Sequence, residues 1–215
     1  MKKAELVFIP FMGLSHLVSA VETAKLLLHR DGRLFITILV MKLPNDASHV
    51  DSYTHKISSN PNTPRLQLIN IPDLKDLQPN NPGPYYDIID KQTTNVRQTI
   101  SNLIERQSSQ LAVAGVVMDM FCTKFIDVAE EFGLPSYVFK TSGGCCLGVV
   151  QHLISLKFEH DQDLTQYENS DVELSVPCFS VPVPAKVLPA TLVNKRQVRE
   201  GDVLMNQFVQ EISGV

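Results

Sequence analysis

The chain has 215 residues, 44% hydrophobic and 20% charged, a composition suited to a folded protein built on one large α/β domain. Nineteen Lys and Arg against 23 Asp and Glu leave a net charge of −4, which offers no basic footprint for nucleic acid. No apolar run approaches the roughly 20 residues of a membrane span, and the opening Met1-Lys2-Lys3-Ala4-Glu5 lacks the apolar core of a secretory signal, so a cytoplasmic protein is expected.

Glu5 to Pro10 is a short continuous apolar run of the kind found in strands buried on both faces of a parallel sheet. A turn over Phe11 to Ser15 leads into a predicted helix from about His16 to Arg30. Leu17, Val21, Ala24, Leu27 and Leu28 recur there at helical spacing, and Asp31-Gly32 ends it. Leu34 to Val40 is a second strand, which completes a βαβ unit. Residues 43–64 are polar and read as a loop with a helical turn or more around Val50 to Ser58. Arg65 to Ile71 is a third strand, followed by a proline-rich connection.

A long helix over Tyr85 to Ser108 then precedes a fourth strand, Gly115 to Asp119. Cys122 to Phe132 reads as a helix closed by Gly133, Pro135 to Phe139 as a fifth strand, and Gly144 to Phe158 as a further helix. Beyond it lie an acidic stretch and an extended segment with Pro177, Pro182, Pro184 and Pro189, then a last helix from about Asn194 to Ile212. Five strands alternating with helices predict a doubly wound, Rossmann-like parallel sheet with helices on both faces. The expected division is a domain over residues 1–194 and a terminal helix or linker over 195–215.

Ligands of such sheets bind beyond the carboxyl ends of the strands, where the strand order reverses. His16 follows strand 1 and Asp119 ends strand 4, so the fold is expected to bring them together. Ser15 is a good helix N-cap, which places His16 in the first turn. The positive end of a helix disfavours an imidazolium, leaving a histidine there able to accept a proton. A carboxylate on the other ring nitrogen fixes the tautomer and stabilises the cation formed in reaction. The plain alternative has His16 as a solvated residue at a helix start and Asp119 as a cap.

Thr141-Ser142-Gly143-Gly144 lies at the same edge; its hydroxyls and open backbone suit a sugar or phosphate, or equally a turn and helix cap. Phe11, Met12, Tyr85, Tyr86 and Phe121 can wall an apolar pocket, or pack in the core. The dinucleotide fingerprint, the P-loop and the hydrolase nucleophile elbow are all missing. His29, His49, His55, His152 and His160 show no metal-ligand spacing, and Cys122, Cys145, Cys146 and Cys178 read as buried thiols rather than a disulfide or zinc framework.

The stretch from Val7 to Leu27, through Pro10-Phe11-Met12-Gly13-Leu14-Ser15-His16, resembles the opening of plant family-1 UDP-glycosyltransferases, and Arg33 to Pro44 continues it. Val116 to Cys122 resembles that family's aspartate strand. Asp127 to Phe139 resembles its continuation, and Val181-Pro182-Val183-Pro184 its proline-rich segment. The likeness runs along essentially the whole chain in order, nearest to the branch that acts on flavonoids, other phenolics and terpenoid-type alcohols. It implies the N-terminal, acceptor-binding domain of a two-domain GT-B fold, with the C-terminal donor-binding domain outside this sequence.

The resemblance further implies inverting, metal-free sugar transfer from a UDP-sugar co-substrate to a hydroxyl of a small acceptor. His16 is then the general base and Asp119 its orienting partner. Thr141, with Ser142 beside it, meets the donor sugar, while Phe11, Met12, Gly13, Leu14, Tyr85, Tyr86 and Phe121 line the acceptor pocket. Three positions depart from the family's habit: Ser15 stands where it usually has Gly, Met12 where it often has Pro, and Lys140 where it has an apolar or aromatic residue. A fragment that at most binds acceptors or another protein is the alternative reading.

Overall fold

A computed structural model describes residues 3–74, 77, 84–108 and 111–196. Two compact units divide the chain, Met1–Thr141 and Ser142–Val215.

The first unit is built on a five-stranded sheet. Its strands are β1 (Lys3–Ile9), β2 (Leu34–Val40), β3 (Leu66–Asn70), β4 (Leu111–Asp119) and β5 (Ser136–Phe139). All pair in parallel, in the order β3-β2-β1-β4-β5. The order reverses between β1 and β4, so the crevice of this sheet opens where those two strands end. Ile9 pairs with Met118, so β1 and β4 end nearly level.

Four helices cover the sheet: α1 (Leu14–Arg30), α2 (Ala47–Ser58), α3 (Tyr85–Glu105) and the short α4 (Ile126–Glu131), which a 3₁₀ turn at Thr123–Phe125 introduces. Alternation along the strands sends side chains to two cores. Phe8, Ile36, Ile38 and Val40 pack with Leu17, Val21, Ala24 and Leu28 of α1 and with Val50 and Ile57 of α2. Val7, Ile9, Val116 and Met118 pack on the opposite side with Ile88, Val96 and Ile100 of α3 and with Val128 of α4. Each fully buried aliphatic side chain contributes roughly 1.5–3 kcal/mol, which is why continuous apolar strands take the middle of the sheet.

Several boundaries differ from those expected. The polar segment 43–64 contains the complete helix α2, because Val50, Thr54 and Ile57 form a narrow buried stripe on an otherwise wet helix. β4 begins at Leu111 rather than Gly115, extending alongside β1 through a register shift between Glu5 and Leu6. Gly115 belongs in that strand because an added Cβ would lie 3.0 Å from the Pro135 carbonyl oxygen.

The second unit opens with α5 (Gly144–Phe158), followed by a 3₁₀ turn at Leu164–Tyr167. A two-residue antiparallel ribbon pairs β6 (Glu173–Leu174) with β7 (Val183–Pro184). A 3₁₀ turn at Ala185–Val187 and the four-residue α6 (Ala190–Val193) complete it. Val149 and Leu153 of α5 pack with Leu164, Leu174, Val176, Val183 and Leu192. The helix expected over 194–212 falls almost wholly outside the described residues.

Candidate functional site

α1 presents its first turn to the end of β4, where His16 meets Asp119. Gly13 takes the N-cap position with φ 110° and ψ 145°, a conformation open essentially to glycine alone. That corrects the expectation for Ser15: the helix begins at Leu14, so Ser15 lies inside the first turn, where its carbonyl accepts from Ser19 Oγ at 3.0 Å. A glycine has no side chain to cap with. The carboxylate of Asp46 supplies the acceptor instead, taking the Leu14 N–H at 2.9 Å across 32 residues of sequence. A carboxylate at this end also complements the helix dipole.

At the other end of α1, the Arg65 guanidinium donates to the carbonyls of Leu28 at 2.5 Å and of Asp31 and Leu34 at 2.8 Å. Asp46 and Arg65 thus fix the helix that carries His16. Neither was signalled by local spacing, because both partners lie more than thirty residues away.

His16 sits in the first turn of α1 with its side chain 21% exposed, while the Asp119 side chain is fully buried. Nδ1 of His16 and Oδ2 of Asp119 are 2.7 Å apart. The second carboxylate oxygen accepts the Phe121 N–H at 3.1 Å, so both oxygens of the buried group are satisfied. A carboxylate only accepts, so Nδ1 carries a proton, and in the neutral ring Nε2 is then the acceptor.

An aromatic cluster surrounds the imidazole. The Phe11 ring stands edge-on to His16 with centroids 5.3 Å apart, and Phe121 lies at 5.9 Å. Phe11 also meets Phe121 at 5.1 Å and Tyr85 at 5.3 Å. Such offset and edge contacts suit aromatic quadrupoles and hold the rings in fixed planes. Thr141 Oγ1 lies 3.4 Å from His16 Nδ1, at the limit of hydrogen bonding and behind the shorter bond to Asp119.

Of the side chains expected around this point, Phe11, Phe121 and Thr141 gather at His16, and Tyr85 stands behind them against Phe11. Met12 does not line the opening: it is 3% exposed and packs in the core cluster against which Phe11 rests. Gly13 and Leu14 shape the turn, with Leu14 packed against the α1 core. Tyr86 is 44% exposed and makes no ring contact among the described residues. Ser142 is exposed at the start of the second unit.

Cys122 is buried, and burial together with the neighbouring Asp119 charge pushes its thiol well above the usual range. The other three cysteines are exposed rather than buried, and all four are free. Among the described residues no cluster of three His, Cys, Asp or Glu is placed to hold a metal ion, and no helix is long and apolar enough to cross a membrane. A separate cavity of about 220 Å³ opens at the amino ends of the strands, lined by Glu5, Thr37, Arg65 and Arg106 among others. It contains none of the residues around His16.

No family model matches the chain. Individual relatives do. A UDP-glucose flavonoid 3-O-glucosyltransferase of Fragaria ananassa is 45% identical over 199 residues, which is 91% of this chain and 41% of the relative. A Stevia rebaudiana UDP-glycosyltransferase is 39% identical over the whole chain, covering 44% of its own length. Among solved structures, a glycosyltransferase of Siraitia grosvenorii in complex with UDP superposes with TM-score 0.75 at 35% identity, covering 97% of this chain and 43% of that one. Medicago truncatula UGT71G1, solved with UDP-glucose, gives TM-score 0.70 at 32% identity, covering 96% and 44%. The chain therefore spans about two-fifths of the length of the relatives it matches.

Proposed function

From its match to the N-terminal domain of plant UDP-glycosyltransferases, we propose that this chain is the acceptor-binding half of such an enzyme, with His16 as the base that activates an acceptor hydroxyl. The observation that carries this reading is the 2.7 Å His16–Asp119 pair set among Phe11, Phe121 and Tyr85. The acceptor is a small phenolic or terpenoid alcohol, in keeping with the flavonoid named for the Fragaria relative. Flat aromatic acceptors suit contact with rings held edge-on to one another, as Phe11 is to His16 and Tyr85.

In the proposed reaction the acceptor hydroxyl lies against Nε2 of His16. Its oxygen attacks the anomeric carbon of a UDP-sugar from the side opposite the leaving group. The proton passes to Nε2, the glycosidic C–O bond to UDP breaks, and its electron pair leaves with the diphosphate. The configuration at that carbon inverts. Asp119, a positioning residue, holds the Nδ1–H tautomer and stabilises the imidazolium that forms. Thr141, and Ser142 next to it in sequence, are assigned to the donor sugar. The remaining contacts to the UDP-sugar are assigned to a donor-binding domain of the complete enzyme, since the chain spans about two-fifths of the length of its relatives. The proposed setting is the cytoplasm, which the four unpaired thiols suit.

Calorimetric titration of the 215-residue chain with a panel of phenols and with UDP-glucose, with turnover assayed in parallel, tests the reading. Phenol binding without turnover is the expected result. Failure to bind any member of the panel would contradict an acceptor-binding role. The alternative reading is a non-catalytic module that at most binds acceptors or another protein. That is distinguished by adding the donor-binding part of a relative: turnover should then appear, and its persistent absence would favour the module.

A further inference from the structure

Glu5 sets a carboxylate into β1, the middle strand of the five. Residues two apart share a face of a strand, so Glu5 follows Val7 onto the α3 side of the sheet. It is partly buried there, and its partner is the hydroxyl of Thr37, which is 1% exposed and donates to Oε1 at 2.5 Å. Among the described residues no cation pairs with Glu5. The ammonium of Lys3 lies over the Phe35 ring, 5.2 Å from its centroid, instead of on the carboxylate. A carboxylate drawn out of water is ordinarily paired or well hydrogen-bonded, and one hydroxyl leaves most of its accepting capacity open.

Glu5 lines the cavity of about 220 Å³ at the amino ends of the strands, and Arg106, at the end of α3, lines it too. The Arg106 backbone N–H bonds back to Asn102, but its guanidinium has no carboxylate or carbonyl partner among the described residues. Arg65, the other guanidinium of the cavity, is spent on the carbonyls of Leu28, Asp31 and Leu34. Gln67 and Gln107 add neutral donors and acceptors to the lining.

Two opposite charges thus line one small cavity without pairing with each other. A space bounded by a carboxylate and a guanidinium complements a molecule that carries both signs. We propose that this cavity binds a small zwitterion, an aminocarboxylate whose ammonium pairs with Glu5 and whose carboxylate pairs with Arg106. Drug-sized ligands fill pockets of roughly 300–1,000 Å³, so the occupant is smaller than those. The site contains none of the residues around His16 and stands independently of the acceptor-binding reading.

Glycine, β-alanine and 4-aminobutyrate, which space the two charges by successively longer chains, are titrated into the wild-type chain, Glu5→Gln and Arg106→Gln. Butyrate and butylamine, with one charge each, are the controls. The side-chain amide NMR signals of Gln67 and Gln107 report occupancy, and thermal melts check that each variant is folded. Arg106 is exposed, so its substitution keeps the test decisive if Glu5→Gln does not fold.

At least one aminocarboxylate is expected to shift both amide signals saturably and to bind about tenfold tighter than either control, the scale of one charge-assisted hydrogen bond. Glu5→Gln and Arg106→Gln should each weaken it about tenfold. No saturable shift with any of the aminocarboxylates would overturn the proposal, and so would binding that is indifferent to either substitution or no tighter than that of the controls.

Discussion

Asp119 reaches His16 across 103 residues of sequence, and the 2.7 Å bond between Oδ2 and Nδ1 leaves Nε2 as the open nitrogen of the ring. Everything proposed for the chemistry turns on that pairing, because it decides which nitrogen faces the substrate. In a chain completed with a donor-binding domain, His16→Ala is expected to lower kcat by about 10²–10⁴. Asp119→Asn should also lower kcat, with a smaller change in KM, because an amide no longer enforces the Nδ1–H tautomer. Steady-state kinetics of the two variants checks this, and near-normal turnover by His16→Ala would rule out its role as base.

The aromatic cluster gives a second expectation. Phe11 touches the rings of His16, Tyr85 and Phe121, whereas Tyr86 makes no ring contact among the described residues. Phe11→Ala should weaken phenol binding by about tenfold, the scale of a lost aromatic contact and the apolar area that goes with it. Tyr86→Ala should change it by less than about twofold. Calorimetry on the isolated chain measures both.

The third expectation concerns stability. Asp46 caps α1 at one end and Arg65 ties its other end through three carbonyls. Asp46→Ala is expected to cost about 1 kcal/mol, as for other lost N-caps. Arg65→Met should cost about 1.5–3 kcal/mol through the carbonyls it strands. Urea unfolding gives both values, and no loss from either would mean that α1 is held by packing alone.

The fourth rests on the thiols. Cys145, Cys146 and Cys178 are exposed, whereas Cys122 is buried with its thiol pushed well above the usual range. Iodoacetamide at neutral pH should modify the first three in the folded chain and Cys122 only after denaturation. Peptide mass spectrometry reads the pattern directly, and rapid labelling of native Cys122 would contradict the burial.

Much of the first unit could be read from sequence because its strands are continuous apolar runs; β2 occupies Leu34–Val40 as expected. Five parallel strands around a single reversal then force the end of β1 beside the end of β4, so His16 and Asp119 could be paired before any geometry was known. α2 was harder, because a stripe of Val50, Thr54 and Ile57 on a polar helix barely differs from a loop. Ser15 has the residue type of a cap but not the place, because N-cap preference is a local rule and the acceptor comes from Asp46, 32 residues away. Met12 and Phe11 are adjacent and both apolar; only the turn's path decides that Phe11 meets His16 and Met12 enters the core. In the second unit the proline-rich segment was expected to be extended, but no pattern in it marked the pairing of β6 with β7.

The most direct test follows the ¹⁵N resonances of His16 in the 215-residue chain during titration with a flavonol, with His16→Ala used for assignment. The free chain should show the Nδ1–H tautomer, and saturating ligand should shift Nε2 while Asp119→Asn disturbs the tautomer. Saturable flavonol binding that leaves both His16 nitrogens unmoved would place the acceptor elsewhere and contradict His16 as its base.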